Sequence, residues 1–210
     1  MMTNNPYRLY LVTDEQQDIT TLCELVSAAI KGGVTMVQVR EKHGDVRAFI
    51  ERAAAIKQVL KGSGVPLIIN DRVDVALAVK ADGVHLGQSD MPATLARALI
   101  GPKMILGLSV ENDTQLREAQ TLPVDYLGIS AIFATPTKTN IINQWGIAGL
   151  TQAVNTSQLP LVAIGGINEA NIQEIAATGV DGIALVSAIC HASNPQQAAA
   201  KLVDLMGAKG

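Results

Sequence analysis

The sequence is poor in aromatic and charged residues. Aromatic residues make up 3% and charged residues 17% of its 210 residues, with a net charge of -3 and a pI near 5.6. A protein that binds nucleic acid needs a basic surface for phosphates and commonly adds aromatic rings on which bases stack. This composition therefore predicts no nucleic-acid partner.

Cysteines and long apolar runs are also scarce. The two cysteines, Cys23 and Cys190, are not spaced as metal ligands, and we interpret both as buried free thiols. The start of the chain, MMTNNPYRLYLVTD, lacks the basic and apolar regions of a secretory signal. No apolar run approaches the roughly 18 residues of a membrane span. We expect a soluble cytoplasmic protein without a membrane partner.

What the chain does contain is a repeated alternation of short apolar runs and amphipathic segments. Segments with helical period include Ile19 to Lys31, Val46 to Leu60 and Ala170 to Thr178. The apolar runs are continuous, as is typical of strands buried on both faces. There are eight: RLYLVTD, TMVQVRE, PLIIND, GVHLGQ, MILGLSV, DYLGISAIF, LVAIGGI and GIALVSAI.

Eight strands that alternate with helices predict parallel pairing and closure into a (β/α)8 TIM barrel, as one domain over residues 1–210. The alternative is a doubly wound open sheet. That fold usually has a glycine-rich turn after its first strand, whereas the first run here ends in VTDEQQD. The barrel is the favoured interpretation.

In a TIM barrel the active site lies at the carboxyl ends of the strands. The polar residues that end the apolar runs are therefore predicted to converge. They are Thr13, Asp14, Gln38, Arg40, Lys42, Asn70, Asp71, His85, Gln88, Asp90, Ser109, Ser130, Gly165, Gly166 and Ser187.

Two carboxylates in this set suit a metal ion. Asp71 ends the third strand and Asp90 follows the fourth, and neighbouring strands lie about 4.8 Å apart. Such a pair fits one Mg²⁺ and leaves positions open for substrate phosphates. The alternative is that Asp71 caps the helix that begins near Arg72, and Asp90 the helix that contains Pro92.

Cations and glycines suggest two anion sites. Arg40 and Lys42 can share a face at one strand exit, and Lys138 adds a third cation from a polar loop. The alternative is ordinary surface pairing of Arg40 or Lys42 with Glu41 or Asp45.

The glycine motif AIGGI precedes the loop where TIM barrels commonly bind phosphate, although its glycines could serve only a tight turn. No serine or cysteine nucleophile is found beside a base, which points away from hydrolysis through a covalent intermediate. His85 is as suited to a core position as to catalysis. The two anion sites imply two phosphorylated substrates or one doubly phosphorylated substrate.

Several motifs together resemble the thiamine phosphate synthase family. They are QVREK (38–42), IINDRVDVALAVKADGVHLGQSD (68–90), GLSV, TPTK (135–138), AIGGI and LVSAI. The resemblance implies condensation of hydroxymethylpyrimidine diphosphate with hydroxyethylthiazole phosphate, which yields thiamine phosphate and pyrophosphate. It also implies a dissociative mechanism that one Mg²⁺ assists.

Barrel helices often carry dimer contacts, so a homodimer is a candidate assembly. The resemblance also implies roles for individual residues. Lys138, Ser109 and Arg40 would be catalytic, and Asp71 and Asp90 would hold Mg²⁺. The pyrimidine diphosphate would be bound by Gln38, Arg40, Lys42, Asn70, Ser109 and Lys138. The thiazole phosphate would be bound by Thr135, Thr137, Gly166, Val186 and Ser187.

Three alternatives remain open from the sequence. A thiazole tautomerase of the same fold would lack the metal and diphosphate residues, and a sugar-phosphate isomerase would need an acid–base pair and no metal. A sensor would bind both compounds without releasing pyrophosphate.

The polar segment from Ile132 to Gly146 interrupts the alternation of strands and helices. Because Lys138 would serve one ligand while Thr135 and Thr137 serve the other, we expect this loop to join the two sites and to close over them. Trp145 would anchor its hinge or pack on the barrel. The loop also departs from the family pattern, with Ala134 where a proline is expected.

Overall fold

The computed structural model describes residues 5–134 and 144–207. Eight parallel strands follow one another in chain order around a closed barrel, in which the eighth strand pairs with the first. The predicted TIM barrel is thus confirmed. The strands are β1 (Leu9–Val12), β2 (Met36–Val39), β3 (Leu67–Asn70), β4 (Gly83–Leu86), β5 (Ile105–Val110), β6 (Tyr126–Ser130), β7 (Leu161–Ile164) and β8 (Gly182–Leu185).

The helices surround the strands. Two of the three predicted helices have the predicted bounds, because Asp18 and Asp45 accept hydrogen bonds from backbone N–H groups of the first turns that follow them. The helices are α1 (Ile19–Lys31), α2 (Val46–Leu60), α3 (Val73–Ala78), α4 (Ala93–Ile100), α5 (Asp113–Ala119), α6 (Gly146–Thr156), α7 (Ile172–Ala177), α8 (Ser187–Cys190) and α9 (Pro195–Leu205).

Among the described residues, the buried apolar side chains form two separate clusters. The larger one fills the space between the strands and the helices, which explains why the strands are apolar on successive residues. The smaller one lies inside the barrel and contains the following seven buried residues: Tyr10, Val12, Met36, Ile68, Tyr126, Val162 and Ala184. The barrel interior is therefore filled with side chains rather than hollow.

Both cysteines are free thiols, as predicted, although only Cys190 is buried and Cys23 is partly exposed. Burial raises the pKa of the Cys190 thiol to about 12. Among the helices of residues 5–134 and 144–207, none is both long and apolar enough to cross a membrane.

Candidate active site

A cavity of about 950 Å³ opens at the carboxyl ends of the strands. This volume is near the upper end of the usual range for small-molecule sites, so it has room for two modest ligands. The residues predicted for the site that line this cavity are Gln38, Arg40, Lys42, Asn70, Asp71, His85, Gln88, Asp90, Ser109, Ser130, Gly165, Gly166, Val186 and Ser187.

Some predicted residues are not part of this wall. Thr13 is fully buried, and its hydroxyl accepts a hydrogen bond from the backbone N–H of Arg40 at 3.2 Å. Asp14 instead binds His191, with 2.6 Å between the carboxylate oxygen and Nε2. The convergence predicted for Thr13 and Asp14 is therefore wrong. The chain that follows β1 places Thr13 against the backbone of Arg40 and Asp14 against His191. Thr135, Thr137 and Lys138 lie outside the described residues.

The two candidate metal ligands are brought together. The carboxyl groups of Asp71 and Asp90 lie within hydrogen-bonding reach of each other, and the ammonium group of Lys42 forms an ion pair with Asp71. The Asp90 carboxylate is held by the backbone N–H of Gly87, which donates to Oδ2 at 2.7 Å. The result is a pair of oxygen-bearing groups next to one cation at the cavity wall.

Neither aspartate caps a helix. Helix α3 begins after Arg72 and helix α4 after Pro92, and neither of these N-cap residues forms a side-chain capping bond. The capping alternative for Asp71 and Asp90 is therefore wrong. Their carboxylates instead take part in contacts with one another, with Lys42 and with the turn at Gly87.

The pair carries strain of two kinds. Asp71 has a φ of 60°, a left-handed conformation that costs a non-glycine residue roughly 1–2 kcal/mol. The pKa of Asp90 is raised above its ordinary value, mainly by burial and secondly by the neighbouring Asp71 carboxyl group. Strained backbone and destabilised charge at one cavity wall are typical of a functional site.

Without added metal, Asp90→Asn should therefore raise the thermal midpoint at pH 7 by about 1–3 °C. The amide oxygen can still accept from Gly87, while the unfavourable charge is gone. The pKa of Asp90 is higher in the folded than in the unfolded protein. Its charge therefore lowers the free energy of unfolding by the full amount above the folded pKa, and not at all below the unfolded value of about 4. The gain should disappear as the pH falls below about 4.

Thermal unfolding in EDTA at several pH values measures this gain. Asp74→Asn is the matched control, since Asp74 is exposed and its carboxylate pairs with Arg72, which lowers its pKa. A midpoint of Asp90→Asn that is lowered at pH 7 and unchanged at pH 3 would contradict the destabilised charge.

Surface pairing of the predicted kind does not explain Lys42. Lys42 pairs with Asp71 across the strand ends, Glu41 pairs with Arg52, and Asp45 caps helix α2. The alternative that matched Lys42 with Glu41 or Asp45 is therefore wrong. Arg40 lines the same cavity, so it joins Lys42 there among the described residues.

A glycine turn forms the opposite wall. Gly165 and Gly166 have φ angles of 101° and 69°, which L side chains rarely adopt. The side chain of Asn171 secures this turn: its Nδ2 donates to the Gly166 carbonyl at 2.9 Å, and its Oδ1 accepts from the N–H of Asn168 at 2.8 Å. Asn171 is the residue that directly precedes helix α7. The helix begins at Ile172, two residues later than predicted.

The polar segment from Ile132 to Gly146 is joined at its base. The N–H of Trp145 donates to the Ala131 carbonyl and the N–H of Gly146 to the Ile132 carbonyl, both at 3.0 Å. Trp145 is half-buried and packs against the larger apolar cluster, which agrees with the second of its two predicted roles. Closure of this segment over the cavity stays a prediction, because residues 135–143 lie outside the described part.

Two tyrosines in the cavity floor were not predicted. Tyr10 and Tyr126 line the cavity floor and their hydroxyl groups lie 3.0 Å apart. His85, for which the sequence left two roles open, contacts both Tyr126 and Ser109 through its ring nitrogens. Both tyrosines occur in continuous apolar runs, where no alternation marks the inward-facing positions.

Comparison with known proteins gives one consistent result. A family model described as thiamine monophosphate synthase matches residues 9–189. A thiamine-phosphate synthase of Vibrio parahaemolyticus is 71% identical over 96% of this chain and 99% of the relative. One of Albidiferax ferrireducens is 52% identical over 96% of this chain and 92% of the relative.

Solved structures agree with the fold. A thiamine phosphate pyrophosphorylase from Pyrococcus furiosus superposes with a TM-score of 0.86 at 38% identity, covering 97% of this chain and 96% of the other. A 3-hexulose-6-phosphate synthase from Salmonella typhimurium has a TM-score of 0.74 at 17% identity, over 95% and 98% of the two chains. The second likeness concerns the barrel alone.

Proposed function

Because the chain belongs to the thiamine monophosphate synthase family, we propose that it is a thiamine-phosphate synthase, a transferase of thiamine biosynthesis. Its substrates would be hydroxymethylpyrimidine diphosphate and hydroxyethylthiazole phosphate. The C–O bond of the pyrimidine methylene group breaks, and pyrophosphate leaves with the electron pair. The thiazole nitrogen then forms the new C–N bond, which gives thiamine phosphate.

The observation that carries this proposal is a single cavity with two unlike anion-binding walls. One wall presents Lys42 and Arg40 beside a pair of carboxyl groups, while the other presents the glycine turn at Gly165 and Gly166. A diphosphate is suited to cations and a metal ion, and a single phosphate to backbone N–H groups. Both substrates can therefore bind side by side.

The residues present fit a magnesium ion. Two carboxyl groups lie next to each other, and the raised pKa of Asp90 reflects a charge that a cation would stabilise. Within the described residues, no set of three or more histidine, cysteine, aspartate or glutamate side chains forms a complete protein cage. Mg²⁺ commonly takes one or two carboxylates and completes its shell with water and substrate phosphates. Bound by Asp71 and Asp90, it would neutralise charge on the diphosphate.

The protein side chains supply position and charge. Arg40 and Lys42, with Lys138 from the polar segment, would stabilise the negative charge that develops on the leaving pyrophosphate. Gln38, Asn70 and Ser109 would hold the pyrimidine side, since all three line the cavity. A methylene cation stabilised by the pyrimidine amino group would form in this dissociative reaction, and no protein nucleophile is needed. Thr135, Thr137, Val186 and Ser187 would hold the thiazole phosphate.

The direct experiment combines the two substrates with Mg²⁺ and measures thiamine phosphate and pyrophosphate. We expect the two products in equal amounts and none when either substrate is omitted. EDTA should abolish the reaction, and excess Mg²⁺ should restore it. Absence of product under conditions in which a Vibrio relative is active would contradict the proposal.

The same assay separates the alternatives. A thiazole tautomerase or a sugar-phosphate isomerase would turn over without the diphosphate and in EDTA, and a sensor would bind both compounds but release no pyrophosphate. A cytoplasmic location, a homodimer and the lack of a nucleic-acid partner stay predictions.

A further inference from the structure

A chain of hydrogen-bonded side chains crosses the barrel interior at the cavity floor. Gln38 Nε2 donates to the Tyr10 hydroxyl at 2.7 Å, and this hydroxyl lies 3.0 Å from that of Tyr126. The Tyr126 hydroxyl is 2.8 Å from Nδ1 of His85, and Nε2 of His85 is 2.9 Å from the Ser109 hydroxyl oxygen. The two ends are proposed ligand-binding residues, whereas the three middle residues have no role in the mechanism described above.

The barrel is shaped to hold this chain. A Cβ atom at Gly107 would overlap both the ring of Tyr126 and Nδ1 of His85, and one at Gly128 would lie 3.1 Å from Cε1 of His85. Neither glycine has a positive φ, so the backbone conformation does not require glycine at either position. The absence of side chains at these positions of β5 and β6 thus leaves space for the rings of Tyr126 and His85.

The Gln38 amide favours one direction for these hydrogen bonds. Its nitrogen can only donate, so the Tyr10 hydroxyl accepts from it and can donate its own hydrogen to the Tyr126 hydroxyl. In this direction Tyr126 donates to Nδ1 of His85. Burial raises the pKa of both tyrosines well above the ordinary value, and therefore both keep the hydrogen that they donate.

The direction determines what Ser109 offers to a ligand. A neutral imidazole that accepts at Nδ1 carries its proton on Nε2, from which it donates to the Ser109 oxygen. The single hydroxyl hydrogen of Ser109 is then left for an acceptor in the cavity, which this residue lines. A reversed chain would have Ser109 donate to His85, and only its lone pairs would face the ligand.

We propose that Tyr10, Tyr126 and His85 are positioning residues, which hold Ser109 as a hydrogen-bond donor toward an anionic or lone-pair-bearing atom of the ligand in the cavity. The identity of that ligand, the pyrimidine diphosphate, rests on the proposed function. The direction of the chain and the tautomer of His85 do not, so they can be tested in the protein without substrate.

The first test is two-bond ¹H–¹⁵N NMR of the ¹⁵N-histidine-labelled protein at neutral pH, with the His85 signals identified by their loss in His85→Gln. We expect the Nε2–H tautomer. Tyr126→Phe removes the donor to Nδ1 and should populate the Nδ1–H tautomer. Tyr10→Phe is the matched control: it removes a hydroxyl from the same chain but leaves Tyr126 free to donate, so the tautomer should stay. An Nδ1–H or doubly protonated ring in the unmodified protein would overturn the proposal.

The second test is a double-mutant cycle on kcat/KM. Tyr126→Phe should lower kcat/KM about tenfold, as expected for one buried hydrogen bond that orients a functional group. If Tyr126 acts through Ser109, the same substitution should have almost no further effect in Ser109→Ala. An equal tenfold loss in both backgrounds would indicate a merely structural role and overturn the positioning. If no substrate turns over at all, the proposed function fails while the tautomer result still stands.

Discussion

Replacing Asp90 with asparagine is expected to lower kcat/KM about 100-fold at a magnesium concentration that saturates the unmodified chain. Asp90 and Asp71 are the two adjacent carboxyl groups of the described cavity, and a hard cation prefers charged oxygen ligands. Asparagine keeps the shape and the bond from Gly87 but removes the charge. Asp71→Asn should have a similar effect, and asparagine tolerates its left-handed backbone.

The rate of pyrophosphate release against magnesium concentration measures this loss, and Mn²⁺ binding followed by electron paramagnetic resonance gives a readout without turnover. The control is again Asp74→Asn, which lies three residues from Asp71 but pairs outward with Arg72. It should change neither measurement. If Asp71→Asn and Asp90→Asn both keep the Mn²⁺ affinity and the rate of the unmodified chain, the metal assignment is wrong.

Activity and stability are expected to move in opposite directions at this pair. Asp90→Asn should be slower with Mg²⁺ and more stable without it, because the charge that would bind the metal is destabilising in its absence. Such a combination excludes partial unfolding as the cause of the lost activity. It is also the relation expected where a protein stores strain for function.

The barrel could be predicted from the sequence because its signals are local. Helices α1 and α2 begin directly after Asp18 and Asp45, whose carboxylates accept from first-turn N–H groups, and both helices have a clear apolar period. Helix α7 was predicted two residues too early, since the Asn171 side chain binds the Gly166 carbonyl and the Asn168 N–H. That contact joins a loop and a helix, and no local pattern shows it.

The residues of the cavity wall could be predicted from the fold, but those of the cavity floor could not. Polar residues at the carboxyl ends of parallel strands must meet, which placed Asp71 and Asp90 together. Tyr10 and Tyr126 lie inside strands that are apolar on both faces, so their sequence context does not show which side chains point inward. The space left by Gly107 likewise depends on strand register, which continuous apolar runs do not specify.

Gly166→Ala is expected to raise KM for the thiazole phosphate about 30-fold, with a much smaller change in KM for the pyrimidine diphosphate. The new Cβ would lie 2.7 Å from both the Ala134 carbonyl oxygen and Cβ of Phe133. These atoms belong to the first residues of the polar segment, and they cannot move away without a shift of the backbone. The substitution also forces alanine to a φ of 69°. The turn must therefore move, and with it the N–H groups proposed to bind the phosphate.

Gly179→Ala is the control that separates backbone strain from steric overlap of the new Cβ atom. Gly179 also has a left-handed φ, of 86°, but its nearest neighbour would be Cγ1 of Val154 at 3.7 Å, an ordinary contact. Gly179 follows helix α7, at the end of the barrel away from the cavity. Gly179→Ala should thus lower the thermal midpoint through backbone strain and leave both KM values unchanged. If Gly166→Ala loses stability to the same extent but keeps its KM for the thiazole phosphate, the turn does not bind that phosphate.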